Sequence, residues 1–208
     1  MQEQAGAPLS ATDPPSEPTG ETGAEAGPPK RGRGVLLWYV IAAVVVFVVD
    51  QASKVWATGA LDHGRVVPLV GDVLSLRLIR NSGAAFSIGD SMTWVMTLIA
   101  AAVTLAILVV LPRIGSSRWS LSLGLLLGGS LGNLYDRIFR EPGPLHGHVV
   151  DFVDYGGLFV GNIADIAIVG GALLLVWLVF TNTDMDGSRP KHVPDAPTGH
   201  RTTEDTDG

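Results

Sequence analysis

The chain has 208 residues, 47% of them hydrophobic, a formal net charge of -6 and no cysteine. Without cysteine there is no disulfide, no thiolate metal site and no cysteine nucleophile. The basic residues form no stripe interleaved with aromatics, so the sequence gives nucleic-acid binding no support.

Charge and hydrophobicity are segregated. Residues 1–34 and 184–208 hold 11 of the 20 acidic and 6 of the 14 basic residues, leaving a nearly neutral middle with 9 acidic and 8 basic. The net charge therefore describes the tails and says nothing about a substrate. Both tails are polar and rich in Pro and Gly. They cannot bury enough apolar surface to offset the entropy of ordering and are expected to be disordered. Three regions follow: an N-terminal tail over 1–34, a membrane domain over 35–183 and a C-terminal tail over 184–208.

Crossing a bilayer takes about 20 mostly apolar residues. In chain order, the first candidate span is about 35–56, where LLWYVIAAVVVFVV runs uninterrupted to Asp50 and Lys54. Its 34-residue polar leader is too long for an ordinary signal-peptide n-region, and no small-residue cleavage site follows, so it reads as an anchor. Next comes VVPLVGDVLSLRLIR at 66–80, which alternates with a period near two and predicts short strands turning at Gly71 and Asp72. The second span is about 92–111, the third about 119–135, rich in Leu and Gly, and the fourth about 159–180 with Asp165 near its start. The expected architecture is an all-α membrane protein of four transmembrane helices with a small extracytoplasmic β-sheet element.

Lys and Arg near span ends set the orientation. Lys30, Arg31 and Arg33 precede span one, Arg113 and Arg118 lie between spans two and three, and Arg189 and Lys191 follow span four. The opposite side carries Arg65, Arg77, Arg80, Arg137 and Arg140, so the count is divided and the KRGR leader decides it. Both termini are expected in the cytoplasm. Asp50, Lys54, Asn133, Asp136, Arg137, Asp151, Asn162 and Asp165 then converge near the outer interface. Ionisable groups in membrane segments are expensive and mark function.

Several chemistries fit these residues. A serine–lysine dyad has Ser53 beside Lys54, but neighbours i and i+1 do not share a helix face. His146 and His148 lie close to Asp151 and Asp154, but at no spacing with a metal mechanism behind it. A proton-coupled carrier would use Asp50, Asp136 and Asp165 as a relay, yet it needs polar groups through the whole membrane depth, and spans two and three offer few. Paired carboxylates remain: one holds a proton as general acid while the other activates water. Asp50 has Lys54 at i+4, and Asp136 is followed by Arg137, so both have local cations to keep them ionised. Asp151, Asp154 and Asp165 have none. Asp165 alone also reads as an acid favoured in the first turn of a helix.

The motifs VDQASK, RNSGAAFSI, GGSLGNLYDR, GHVVDF and NIAD occur in this order over about 35–181. In them the chain resembles the lipoprotein signal peptidases, or signal peptidase II, of bacteria. The resemblance implies a membrane aspartyl endopeptidase of the bacterial plasma membrane, without metal or other cofactor. It would cut a prolipoprotein signal peptide before a diacylglyceryl-modified cysteine, and globomycin-type inhibitors and membrane lipid would be further partners. By resemblance Asp151 and Asp165 are the catalytic pair. Asn81, Asn133 and Arg137 would bind substrate carbonyls, Gly83 and Asn162 would complete the motifs, Asp50, Lys54 and Asp136 would give support, and Asp154 would be a solvated loop residue. Two departures stand out: an extra run, IFREPGPLHG, after Arg137, and FVG before Asn162. Both bear on substrate preference through a flap over the site.

Overall fold

The computed structural model describes residues 33–61, 64–83 and 93–185. Nearly all of both tails, the basic residues Lys30, Arg31, Arg189 and Lys191, and Ala84 and Phe86 of RNSGAAFSI lie outside the described residues. Among the described residues there are four α-helices: α1 (Arg33–Ala60), α2 (Thr93–Val110), α3 (Ser117–Phe139) and α4 (Ile163–Phe180). Four strands, β1 (Val66–Val70), β2 (Leu74–Asn81), β3 (Val149–Asp154) and β4 (Val160–Gly161), form one antiparallel sheet in the order β1-β2-β3-β4.

Among the described residues, three helical segments are long and apolar enough to cross a membrane: Gly34–Ala60, Thr93–Arg113 and Ile163–Phe180. Their large apolar side chains, such as Trp38, Val45, Leu105 and Leu173, point outward. A surface this apolar needs an apolar surround. The less apolar α3 packs against α1, α2 and α4. It faces protein on several sides, so it carries Gly and Ser where the others carry Leu and Val. Small residues let helix backbones approach closely where no hydrophobic drive separates protein from lipid. At Gly128 a Cβ would lie 2.6 Å from the Ala43 carbonyl oxygen and 2.7 Å from Val46 Cβ. At Gly132 it would collide with the Asp50 carboxylate. Glycine at these positions admits α1 and its buried acid to α3.

Two apolar clusters hold the fold. One joins Tyr39, Ile107, Trp119, Leu127 and Leu178 across the four helices. The other packs the sheet on the C-terminal end of α1 through Ala57, Leu61, Phe152 and Val153, with Trp56 edge-on to Phe152 at 6.4 Å.

The hairpin read from periodicity is β1–β2, with Val66 opposite Arg77 and the turn at 71–73. The sheet is larger than that hairpin. VVDFVD forms β3, buried along its whole length and paired to β2 with Asp151 opposite Ile79. Asp151 therefore sits on a strand and not at the start of the fourth span. That helix begins at Ile163, because Val160 and Gly161 pair with β3 and Asn162 caps the helix. The first and third spans move outward, α1 continuing past residue 56 and α3 exceeding 119–135 at both ends, while α2 stays within a residue of 92–111.

Gly128→Val should destabilise the protein by about 1–3 kcal/mol through overpacking against α1. Gly170→Val, whose Cβ meets nothing within 4 Å, should change it by less than about 0.5 kcal/mol. Thermal unfolding in detergent distinguishes the two.

Candidate active site

The site is built on a buried ion cluster. Lys54 and Asp50, one turn apart on α1, are both fully buried and pair at 2.8 Å. Lys54 Nζ also reaches Asp136 Oδ2 on α3 at 2.9 Å and donates to Asn133 Oδ1 at 3.0 Å. An ammonium has three N–H groups, and all three are used. Asp136 is further bound by Arg140 Nε at 2.6 Å and by the Val150 backbone N–H at 3.2 Å. Asp50 Oδ1 accepts from the Ala164 backbone N–H at 2.9 Å. Gln51 Nε2 donates to Asp50 Oδ2 at 3.1 Å, to the Gly132 carbonyl at 3.1 Å and to Asp136 Oδ1 at 3.2 Å. The cluster thus ties α1, α3, β3 and α4 together at one depth.

Asp136 is compensated by Lys54 and Arg140, not by the adjacent Arg137. Residues i and i+4 share a helix face and residues i and i+1 do not. Arg137 turns the other way. It is buried, its Nη1 has no hydrogen-bond partner, and the charges of Asp151, Asp136 and Asp165 act on it. Its Nη2 lies 3.6 Å from where a Gly83 Cβ would stand.

On this frame sit the two expected aspartates. Asp151, 2% exposed, accepts from Asn81 Nδ2 at 2.7 Å and from Asn162 Nδ2 at 2.6 Å. Asn81 faces Val149 across the ladder and is the diagonal neighbour of Asp151 on the same face. Its own carbonyl is held by the Gly83 N–H at 2.7 Å. Asp165 lies in the first turn of α4, in a capping box: Asn162 Oδ1 accepts from the Asp165 N–H, and Asp165 Oδ2 accepts from the Asn162 N–H, each at 3.0 Å. Asp165 Oδ1 accepts from Asn133 Nδ2 at 3.0 Å. The first-turn acid read from sequence and the site residue are therefore the same carboxylate. Asn162 joins the pair, since its amide touches Asp151 while its backbone and side chain hold Asp165.

The environments of the two acids differ. Asp151 lies on β3, outside the helices. Burial pushes its carboxyl up to about 6; the hydrogen bonds from Asn81 and Asn162 pull it down, and the nearby charge of Asp165 raises it. Asp165 has the amide end of a helix behind it, where negative charge is favoured. Both oxygens of Asp165 accept N–H donors, from Asn133 and from the Asn162 backbone.

Other expectations change. Asn81 and Asn133 donate to the aspartates, so they orient the acids. Asp154 is not solvated: it is 7% exposed, pairs with Arg77 at 3.1 Å and accepts from the Gly157 N–H at 2.8 Å. Three residues from Asp151, it falls on the opposite face of β3 and stays out of the site. Lys54 is fully engaged and Ser53 Oγ donates to the Asp50 carbonyl at 2.8 Å, which leaves a serine–lysine dyad no free base. The same pairing occupies Asp50 and Asp136 and argues against their use as a proton relay. Among the described residues, no group of three His, Cys, Asp or Glu is placed to hold a metal ion, and His146 Nδ1 lies 3.2 Å from the Pro144 carbonyl. The extra run after Arg137 folds back on the helices, with the Gly147 N–H on the Arg137 carbonyl at 3.0 Å and the Leu145 carbonyl accepting from Thr97 Oγ1 at 2.7 Å. Gln51 and Arg140 were not anticipated as members of the cluster. The i+4 spacing of Asp136 and Arg140, the same as that of Asp50 and Lys54, was the signal for Arg140.

Known proteins are similar to this chain in sequence and fold. A family profile described as Signal peptidase (SPase) II matches residues 42–181. A lipoprotein signal peptidase of Mycobacterium avium (strain 104) is 47% identical over 179 residues, covering 85% of this chain and 96% of the relative. One from Rhodococcus jostii (strain RHA1) is 49% identical over 154 residues, covering 74% and 77%. Two solved structures, each described as a bacterial membrane enzyme studied by the in meso method, superpose with TM-scores of 0.62 and 0.61 at 25% and 26% identity. They cover 75% of this chain and 99% and 93% of theirs. Apolar helices and neighbours of this kind make it a membrane protein, and a peptidase that acts on prolipoproteins. The chain belongs to the signal peptidase II family, the lipoprotein signal peptidases.

Proposed function

We propose that this peptidase is of the aspartyl type, with Asp151 and Asp165 as its catalytic dyad. The observation that carries the reading is their shared tether. Asn162 binds both carboxyl groups, and further amides from Asn81 and Asn133 aim them, while the other buried acids among the described residues, Asp50, Asp136 and Asp154, are neutralised by Lys54, Arg140 or Arg77. In this reading Asp151 carries the shared proton and Asp165 is ionised. Asp165 takes a proton from water as the water oxygen attacks the scissile carbonyl carbon. Asp151 gives its proton to the carbonyl oxygen. Collapse of the tetrahedral intermediate breaks the C–N bond, and the leaving nitrogen receives a proton from the dyad. Arg137, with an unpartnered buried Nη1 and the charges of Asp151 and Asp165 acting on it, is the cation assigned to stabilise the developing oxyanion.

The bond cut is the one before a diacylglyceryl-modified cysteine. The supported topology is four transmembrane helices within 35–183, with α3 the fourth despite its Gly and Ser, because those residues face protein. Both termini are cytoplasmic, and the sheet and dyad lie near the outer face of the bacterial plasma membrane. Tails over 1–34 and 184–208 flank the domain. Membrane lipid and globomycin-type inhibitors are further partners of the site.

Asp151→Asn and Asp165→Asn should each abolish cleavage of a diacylglyceryl-modified precursor while membrane insertion is unchanged; normal cleavage by either removes the dyad. Saturating globomycin should stop wild-type turnover, and full activity in its presence counts against this substrate site. Because the folded site raises the Asp151 carboxyl to about 6, the one-proton dyad is present below that pH and lost above it. The plot of kcat/KM should fall about tenfold per pH unit above roughly pH 6. The Asn81 amide favours the ionised form of Asp151, so Asn81→Ala should move that limb to higher pH; a limb that stays put or moves down contradicts the assignment.

A further inference from the structure

Asn133 occupies a junction between the ion cluster and the dyad. Its Oδ1 accepts from Lys54 Nζ at 3.0 Å and from Asn162 Nδ2 at 3.2 Å, and its Nδ2 donates to Asp165 Oδ1 at 3.0 Å. Turning the amide by half a rotation would set its NH2 against two donors and its carbonyl against a carboxylate. An amide can serve either way round. A lysine ammonium can only donate. Lys54 is fully buried and pinned by Asp50 and Asp136 at 2.8 and 2.9 Å, so its direction is set independently of the Asn133 amide.

We propose that Lys54 is a positioning residue for the peptidase reaction: anchored by Asp50 and Asp136, it fixes the Asn133 amide so that Asn133 turns its N–H, and not its carbonyl, toward Asp165. The inference rests on Asp151 and Asp165 being the dyad. With Asn133 so held, both oxygens of Asp165 face donors, Asn133 Nδ2 and the Asn162 N–H. That matches an ionised base. With the amide reversed, the Asn133 carbonyl is compatible with Asp165 only when Asp165 carries a proton, and the dyad then has no base. The buried charges thus act on the chemistry through one rotatable amide, without touching substrate.

The test must remove the Lys54 donor without stranding a buried charge. Asp50→Asn combined with Lys54→Met deletes one charge of each sign and leaves Asp136 paired with Arg140 at 2.6 Å, while the residue 50 carbonyl oxygen can still accept from Ala164. With purified full-length protein and a diacylglyceryl-modified precursor peptide, kcat should fall on the order of 10–100-fold with KM within about twofold. In an Asn133→Ala background the same pair of substitutions should cause no further loss, because the contact through which Lys54 acts is already gone. Equal losses in both backgrounds, or an unchanged kcat, overturn the proposal. A second readout uses protein labelled with ¹⁵N-asparagine, the Asn133 side-chain signal being assigned by its absence in Asn133→Ala. That signal should shift in the Asp50→Asn, Lys54→Met protein, and an unmoved signal also overturns the proposal, even where Asn133→Ala is too slow to assay. If that protein lacks a cooperative melting transition, Asp50→Asn with Lys54→Leu replaces it under the same criteria, since that pair again removes one charge of each sign and leaves Asp136 on Arg140 at 2.6 Å. Asp165→Asn separates the two readings. Normal cleavage by that variant removes the dyad; an inactive Asp165→Asn with equal losses in both backgrounds removes only the role of Lys54.

Discussion

Everything in the site hangs on one buried ammonium. Lys54 has no access to solvent, and its three N–H groups end on two carboxylates and one amide carbonyl. Buried ion pairs are weak arguments for stability, because desolvation opposes their attraction. Removing one partner, however, leaves an uncompensated charge and costs about 3–5 kcal/mol. The cluster therefore acts by exclusion. Any arrangement that moves α1 along α3, or draws β3 or the start of α4 away, strands Lys54, Asp50 or Asp136 without a partner. The carboxylates that hold Lys54 also hold the Val150 and Ala164 backbone amides. These amides lie next to Asp151 and Asp165. The positions of Asp151 and Asp165 are thus inherited from the position of a lysine.

The helices that surround this cluster obey a different constraint. Outside, α1, α2 and α4 present Val, Leu and Trp to an apolar surround. Inside, α3 presents glycine and serine, and van der Waals contact replaces a hydrophobic drive that lipid does not provide. Glycine at 132 is the place where the two constraints meet. Its missing side chain is the space that the Asp50 carboxylate fills.

The two aspartates differ because their elements differ. A strand offers Asp151 a dry face and two amides, and burial is the largest influence on its carboxyl. A helix start offers Asp165 backbone N–H groups and a favourable dipole. Unequal surroundings act unequally on carboxyl groups, and here the inequality comes from secondary structure.

Much of this was legible beforehand. Apolar runs, the period-two stretch at 66–80 and the i+4 spacing of Asp50 and Lys54 are local properties, and they gave the helices, the β1–β2 hairpin and one ion pair. The five motifs in order singled out Asp151 and Asp165. VVDFVD was not legible as a strand, because a strand buried on both faces loses the alternation that identifies one. Asp154 looked solvated because its partner, Arg77, lies on another strand, and Asp136 looked paired to its neighbour because adjacency in the chain hides the turn of the helix. Sequence by itself therefore determined which residues had to be used: a membrane chain does not carry ionisable groups without need. Tertiary structure alone decided which of them are neutralised by cations and which are held by amides. Charge compensation depends on distances through space, and the distances from Lys54 to Asp136 and from Asn162 to Asp151 exist only once the helices and the sheet have packed.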